Sequence, residues 1–200
     1  MASVQSPDKP LPAGLSVKSL GSFPREPWRN GSGTTRTLVQ DSDGGWRISL
    51  ADVEQDGPYS QFPGMTRLSL VLRGDGVTLR NGDVEVTMRP RNAAVYDGDQ
   101  TWTATLRGGS VLALNVIAKR GRYRANLEML SEHSHVPPVA HALIVNLCGS
   151  CTMLVGEINK LTVEAGDVLI RDTSGPSLRC VETSKSADVA LVTIEPIFRR

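Results

Sequence analysis

The sequence predicts an all-β protein built from two copies of one antiparallel barrel unit. Short apolar runs recur along the chain with turn residues between them, and no stretch carries a convincing long helical pattern. The middle of the chain also resembles its end. Leu68-Ser-Leu-Val-Leu-Arg-Gly74 aligns with Leu143-Ile-Val-Asn-Leu-Cys-Gly149, an offset of 75 residues. At that offset Val77 falls on Thr152, Leu79 on Leu154, Val86 on Leu161 and Asp97 on Asp172. Two degenerate copies of one unit imply a duplicated barrel.

Each copy reads in the same order: a strand, a glycine turn, a hairpin, a Gly-Asp-like turn and two more strands. Val111–Ile117 closes the first copy. Val189–Ile194 closes the second, after a small insertion near Ser184-Lys185-Ser186. Cys148-Gly149-Ser150-Cys151 has the spacing of a redox pair or half a zinc site. Apolar runs flank it on both sides, however, so the pattern predicts a two-residue hairpin turn between strands. His133-Ser134-His135-Val136-Pro137-Pro138 reads as a crossing loop. These boundaries place the first barrel, with its pocket, in residues 1–122, a linker in 123–140 and the second barrel in 141–200.

Two hundred residues suit one domain or two small fused ones, enough for a substantial core. A net charge of +1 gives no general attraction to nucleic acid or anionic membrane. No apolar run is long enough to span a bilayer. The start, MASVQSPDKPLPAG, lacks the basic-then-apolar pattern of a secretory signal and reads as a loose lead-in, so the expected location is the cytoplasm. Three cysteines do not make a disulfide scaffold.

The chemistry concentrates between Pro27 and Arg67, where aromatic residues alternate with polar ones that can be buried. Trp28, Asn30, Thr35, Arg36, Arg47, Ser49, Tyr59 and Arg67 are the candidate ligand-binding residues, because such a mixture suits apolar walls with a few fixed donors. Strand alternation puts Trp46, Ile48 and Leu50 on one face and Arg47 with Ser49 on the other. Two or three guanidiniums on one concave face would hold a carboxylate bidentately. If Asp52 paired those arginines internally, the cluster would be structural instead. A cofactor-free isomerase or hydrolase using Asp52, Tyr59 or His141 as acid or base is a competing reading, as is a structural or partner-binding protein. No catalytic residue is assigned.

Other constellations carry less. The lone His-x-His, His133 and His135, stands immediately before two prolines, and the first half of the chain holds no histidine. No metal or other cofactor is expected. Asp52, Glu54 and Asp56 are spaced like the start of a calcium loop, but Pro63 stands where the closing Glu belongs. Lys119–Arg124 reads as a solvated edge or an anion-facing loop rather than a nucleic-acid patch.

The run PWRNGSGTTR, then WRISLADV, then GPYSQFPGMTR, resembles the signature of the HutD/Ves family, small bacterial bicupins associated with histidine utilisation. The likeness continues through Asp97-Gly98-Asp99 and Leu114–Gly121, and is looser towards the C-terminus. Ser32 stands where the pattern has Gly, which is tolerable if that position needs no positive φ. Thr37 stands where the pattern has an acidic residue. Glu164–Leu169 is close to the cupin Gly-Asp turn. The resemblance implies a bicupin fold, and a ligand among the intermediates of histidine breakdown such as formylglutamate or urocanate. It also implies an accessory or regulatory role rather than catalysis. The expected partner is thus a small anionic metabolite, not nucleic acid or membrane; a homodimer is the one assembly left open.

Overall fold

The computed structural model describes residues 10–132, 134–137 and 140–198, which are all strand, turn or short 3-10 turn. Residues 1–9, His133 and Pro138, on which the lead-in and His-x-His readings partly rest, lie outside the described residues. None of the described helices is long and apolar enough to cross a membrane. The chain divides into two compact units. One spans Phe23–Glu128 with the last residues from Ile197; the other joins Met129–Pro196 to the residues through Ser22.

Strand β1 (Leu15–Ser19) comes first in the chain and is followed by the strands of the first barrel. These are β2 (Glu26–Pro27), β3 (Gly33–Gln40), β4 (Trp46–Val53), β5 (Gly57–Pro58), β6 (Met65–Arg73), β7 (Val77–Asn81), β8 (Val84–Met88), β9 (Ala93–Asp97), β10 (Thr103–Leu106) and β11 (Val111–Lys119). They form an antiparallel sheet in the order β2-β3-β4-β11-β6-β9 and a second in the order β5-β10-β7-β8. Val71, Ala51 and Val111 of the first sheet pack against Val77, Leu79, Met88 and Ala104 of the second. Strand β12 (Tyr123–Met129) follows. The second barrel then holds β13 (His135–Val136), β14 (His141–Cys148), β15 (Ser150–Val155), β16 (Asn159–Glu164), β17 (Asp167–Arg171), β18 (Leu178–Thr183) and β19 (Asp188–Pro196). Strands β1, β17, β14 and β19 lie side by side, and the other sheet runs β13-β18-β15-β16.

The duplication is visible pair by pair. β6 bonds to β9 and β11 as β14 bonds to β17 and β19. β7 bonds to β8 and β10 as β15 bonds to β16 and β18. The two-residue β5 sits on β10 as β13 sits on β18. Even the register shift recurs, between Leu112 and Ala113 in one copy and between Asn146 and Cys148 in the other. The fold is a bicupin.

Three features differ from the sequence reading. The Gly149 turn is not a hairpin: β14 and β15 belong to different sheets, and Gly149, at φ 70°, turns the corner between them. Gly74, at φ 91°, does the same between β6 and β7. Apolar strands flank a corner as readily as a hairpin, so the local pattern does not separate the two. All three cysteines are free, with Cys148 exposed and Cys151 buried. Segment 123–140, read as a linker, contains β12 and β13. The N-terminal strand β1, read with the first barrel, pairs with β17 from Leu15↔Arg171 to Ser19↔Asp167 and so completes the second.

The interior of the second barrel is apolar, with Ile144, Met153, Val163, Leu169, Leu178, Cys180 and Leu191 all at most 1% exposed. Deleting most of a side chain there leaves a cavity. Ile144→Ala is expected to lower stability by about 2–5 kcal/mol, read as a lower urea midpoint at unchanged m-value.

Candidate functional site

Three neighbouring strands of the first barrel make the floor of a pocket. The central strand, β11, sets Ile117 between Arg47 of β4 and Arg67 of β6. It likewise sets Asn115 between Ser49 and Ser69, and Ala113 between Ala51 and Val71. Side chains two residues apart on a strand share a face, so these nine residues form three parallel rows. The chemistry changes in two steps, from cationic to neutral polar to apolar. Strand β3 extends the rows with Thr37 beside Ser49 and Thr35 beside Ala51. Above this floor, the segment from Glu26 to Asn30 and the loop from Pro58 to Phe62 complete a cavity of about 570 Å³. That volume is in the range that encloses a small metabolite.

The walls are fixed locally. Trp28 Nε1 donates to Thr35 Oγ1 at 2.7 Å, and the Trp28 ring meets Tyr59 edge-on at 6.3 Å. Asn30 Oδ1 accepts from both the backbone N–H and the hydroxyl of Ser32. Ser32 needs no positive φ, since Arg91 is the only described non-glycine residue that has one. Gly33, by contrast, is required: a Cβ there would lie 2.2 Å from the Asp52 carbonyl oxygen of β4.

Arg67 is the centre of the site. It is 7% exposed, and its guanidinium carbon lies 5.3, 5.1 and 4.9 Å from the ring centres of Tyr59, Phe62 and Tyr96. Nη1 donates to the Ser60 carbonyl at 3.0 Å, while the buried Nε has no partner. The Arg47 guanidinium lies 5.4 Å from the centre of the same Phe62 ring, and its Nε is also buried and unpartnered. Neither arginine forms an ion pair among the described residues. Asp52, the internal carboxylate considered as their partner, instead accepts from Thr34 Oγ1 at 3.2 Å and lies 4.0 Å from Arg25. It occupies the opposite face of β4 from Ala51 and Val53.

Behind Arg67, Ser69 Oγ donates to Asn115 Oδ1 at 2.5 Å, which leaves the Tyr96 hydroxyl to donate to Ser69 at 2.9 Å. Burial pushes the Tyr59 phenol well above its usual range; Tyr96 adds to the shift and Arg67 opposes it. Burial likewise raises Tyr96, against the pull of Arg67 and the Ser69 hydrogen bond. Both shifts favour the protonated phenol.

The loop carrying Tyr59 and Phe62 is clamped from outside. Arg120 bonds Asp97 at 2.5 Å, Asp99 at 3.1 Å and the Met65 carbonyl at 3.2 Å. Asp99 Oδ1 accepts from Gly64 N at 2.5 Å, and the Asp99 carbonyl accepts from Gln61. Phe62 N donates to the Gly98 carbonyl at 2.7 Å. A Cβ at Gly98 would sit 2.6–2.7 Å from the carbonyls of Met65 and Phe62, so glycine permits this approach. Arg120, read from sequence as part of a solvated or anion-facing edge, is therefore committed to the clamp.

Of the eight sequence candidates, Trp28, Asn30, Thr35, Arg47, Ser49, Tyr59 and Arg67 line the cavity. Arg36 does not: it alternates with Thr35 and Thr37 on β3 and projects to the other face. The pocket adds Thr37, Ser60, Phe62, Asn115 and Ile117, which were not assigned to the site. A polar Asn within the apolar run Val111–Ala118 was the available signal for Asn115. Thr37 supplies a hydroxyl where an acidic residue was anticipated. His141 starts β14 in the other unit, and His135 in β13 is exposed.

The HutD family model matches residues 21–189. An uncharacterized 21.2 kDa protein in the hutC 3′ region of Pseudomonas putida is 32% identical over 171 residues, covering 78% of this chain and 90% of that one. The crystal structure of a conserved protein of unknown function from Pseudomonas aeruginosa PAO1 is similar, with a TM-score of 0.81 at 28% identity, over 92% of this chain and all of the other. HutD from Pseudomonas fluorescens SBW25, solved in a formate condition, has the same fold. Its TM-score is 0.77 at 23% identity, again over 92% of this chain and all of that one.

The clamp makes stability pH-dependent. The Asp97 carboxyl is held below its usual range, first by the Asp99 N–H and then by Arg120. A depressed carboxylate stabilises the fold fully above its unfolded value, about pH 4, and this contribution disappears as the pH falls through the lower folded value. Arg120→Ala should therefore lower Tm at pH 7, and the gap from the unsubstituted protein should narrow at pH 3 in thermal melts.

Proposed function

The chain belongs to the HutD family, and from that premise we propose that it is a small-molecule-binding accessory or regulatory protein of histidine utilisation. Its first barrel holds a small carboxylate, and no metal takes part. The observation that carries this reading is Arg67, a pocket-lining cation more than nine-tenths buried, with no carboxylate partner among the described residues and a buried Nε that has no acceptor. An unpaired guanidinium inside an apolar barrel costs several kcal/mol, and an anionic ligand removes that cost. The relative from the hutC 3′ region supports the link to histidine utilisation. Among the described residues, the lining contains neither His nor Cys and a single carboxylate, Glu26, a poor donor set for a transition metal.

Binding is favoured over turnover by the fate of the candidate acid–base groups. Asp52 lies on the outer face of β4, Tyr59 holds its proton tightly, and His141 belongs to the other unit. Formate, formylglutamate, urocanate and glutamate are the panel for calorimetry and thermal shift. At least one is expected to raise Tm with concentration; saturation at a hundred times Kd adds about 2.7 kcal/mol. Arg67→Gln should weaken that ligand by tenfold or more, about 1.4 kcal/mol, whereas Arg36→Gln, off the pocket, should leave it unchanged. A panel that produces no shift would remove the basis for the carboxylate reading.

A further inference from the structure

Strand β12 carries an open edge, and we propose that two copies of this chain pair there, β12 against β12, antiparallel about a two-fold axis at Asn126. Three observations lead to this surface. The first is the edge itself. β12 ends its sheet, with no strand beyond it among the described residues. A strand so placed presents a row of unpaired N–H and C=O groups, a template for another strand. Its seven residues, YRANLEM, include neither proline nor lysine, the residues that commonly block such an edge.

The second observation is the direction of the backbone groups. At one end of the strand the Arg122 carbonyl accepts from Ile197 N, and at the other Leu130 N donates to the Val189 carbonyl. Backbone groups alternate in direction along an antiparallel strand. The even-numbered residues therefore turn theirs to that bonded side, and Tyr123, Ala125, Leu127 and Met129 turn theirs to the open edge. With the axis at Asn126, Ala125 exchanges bonds with Leu127 of the second copy, and Tyr123 with Met129 of the second copy. The hydrogen-bonding pattern thus closes on itself.

The third observation is charge. Arg124, Asn126 and Glu128 alternate along the strand on one face, and all three are exposed. Neither Arg124 nor Glu128 belongs to an ion pair among the described residues. The same axis sets Arg124 opposite Glu128 of the second copy, on both sides of Asn126. These are non-hydrogen-bonded positions, where opposed side chains lie closest. Moving the axis to Ala125 or Leu127 preserves the backbone bonds but sets Arg124 opposite Asn126 or Leu130. An exposed ion pair adds little affinity by itself, so the charges act mainly by selecting this register. The surface is self-complementary, as a two-fold interface requires.

Sedimentation velocity at fixed ionic strength, over a concentration series reaching about 1 mM, should show a reversible dimer. Arg124→Glu and Glu128→Arg each set like charges across the axis and should weaken self-association by about tenfold or more. An equal mixture of these two variants should dimerise again, because one chain is then acidic at both positions and the other basic. The double variant Arg124→Glu/Glu128→Arg, which exchanges the charges within one chain, should dimerise as the unsubstituted protein does. Ala125→Pro removes an N–H from the open edge without touching the bonded side and should give a monomer with an unchanged circular dichroism spectrum. A monomer throughout the series overturns the proposal. So does a dimer that neither charge reversal nor Ala125→Pro weakens, since it then forms through another surface. Should Ala125→Pro fail to fold, the mixture of the two exposed-charge variants still decides the question.

Discussion

Arg67 lies among Tyr59, Phe62 and Tyr96 with one backbone acceptor, and much of the first barrel serves to keep it there. Ring faces attract a cation, but they do not accept its N–H groups as an oxygen would. The cage therefore holds the guanidinium in place while leaving hydrogen-bonding capacity unused. Holding that arrangement requires the Phe62 loop to stay closed. This accounts for the Arg120–Asp97–Asp99 clamp, the close approach at Gly98 and the backbone bonds from Phe62 and Tyr59 to Gly98 and Trp102. Motifs far apart in the sequence, the Gly-Asp turn and the Arg-Gly turn, thus support one cation.

The second barrel fills the corresponding positions with apolar side chains. Where the first has Ser69 beside Asn115, the second has Ile144 beside Leu191; where the first has Arg67, the second has Ala142. It too buries an arginine, Arg171, at 2% exposure. That guanidinium donates to the carbonyls of Pro137, Ala140, Gly175 and Pro176. Two buried arginines in one chain thus have opposite character. Arg171 is held by backbone carbonyls and ties loops together; Arg67 lines a cavity and keeps a buried donor without a partner.

The architecture was legible because both halves announce their strands through apolar runs at one fixed offset. The pocket was largely legible too, since Trp28, Arg47, Ser49, Tyr59 and Arg67 combine ring and donor chemistry that an exposed strand has no use for. Arg36 was misplaced although the alternation applied to Arg47 and Ser49 also governs Thr35, Arg36 and Thr37. Asn115 and Ile117 escaped for a different reason: their membership depends on register between β4, β11 and β6, and partners such as Ser69 and Asn115 are 46 residues apart. The corner at Gly149 and the pairing of β1 with β17 are likewise long-range choices that no local window contains.

That last pairing has a consequence for biosynthesis. Apart from its final residues, the first unit is one continuous stretch, Phe23–Glu128, and its strands can pair as they emerge from the ribosome. The second unit cannot be completed so early, because Leu15 must meet Arg171 across most of the chain's length. Until translation has delivered β17, β1 has no edge to join. A truncated product would therefore carry a finished pocket beside an unsealed sheet, a form suited to recognition by chaperones or proteases.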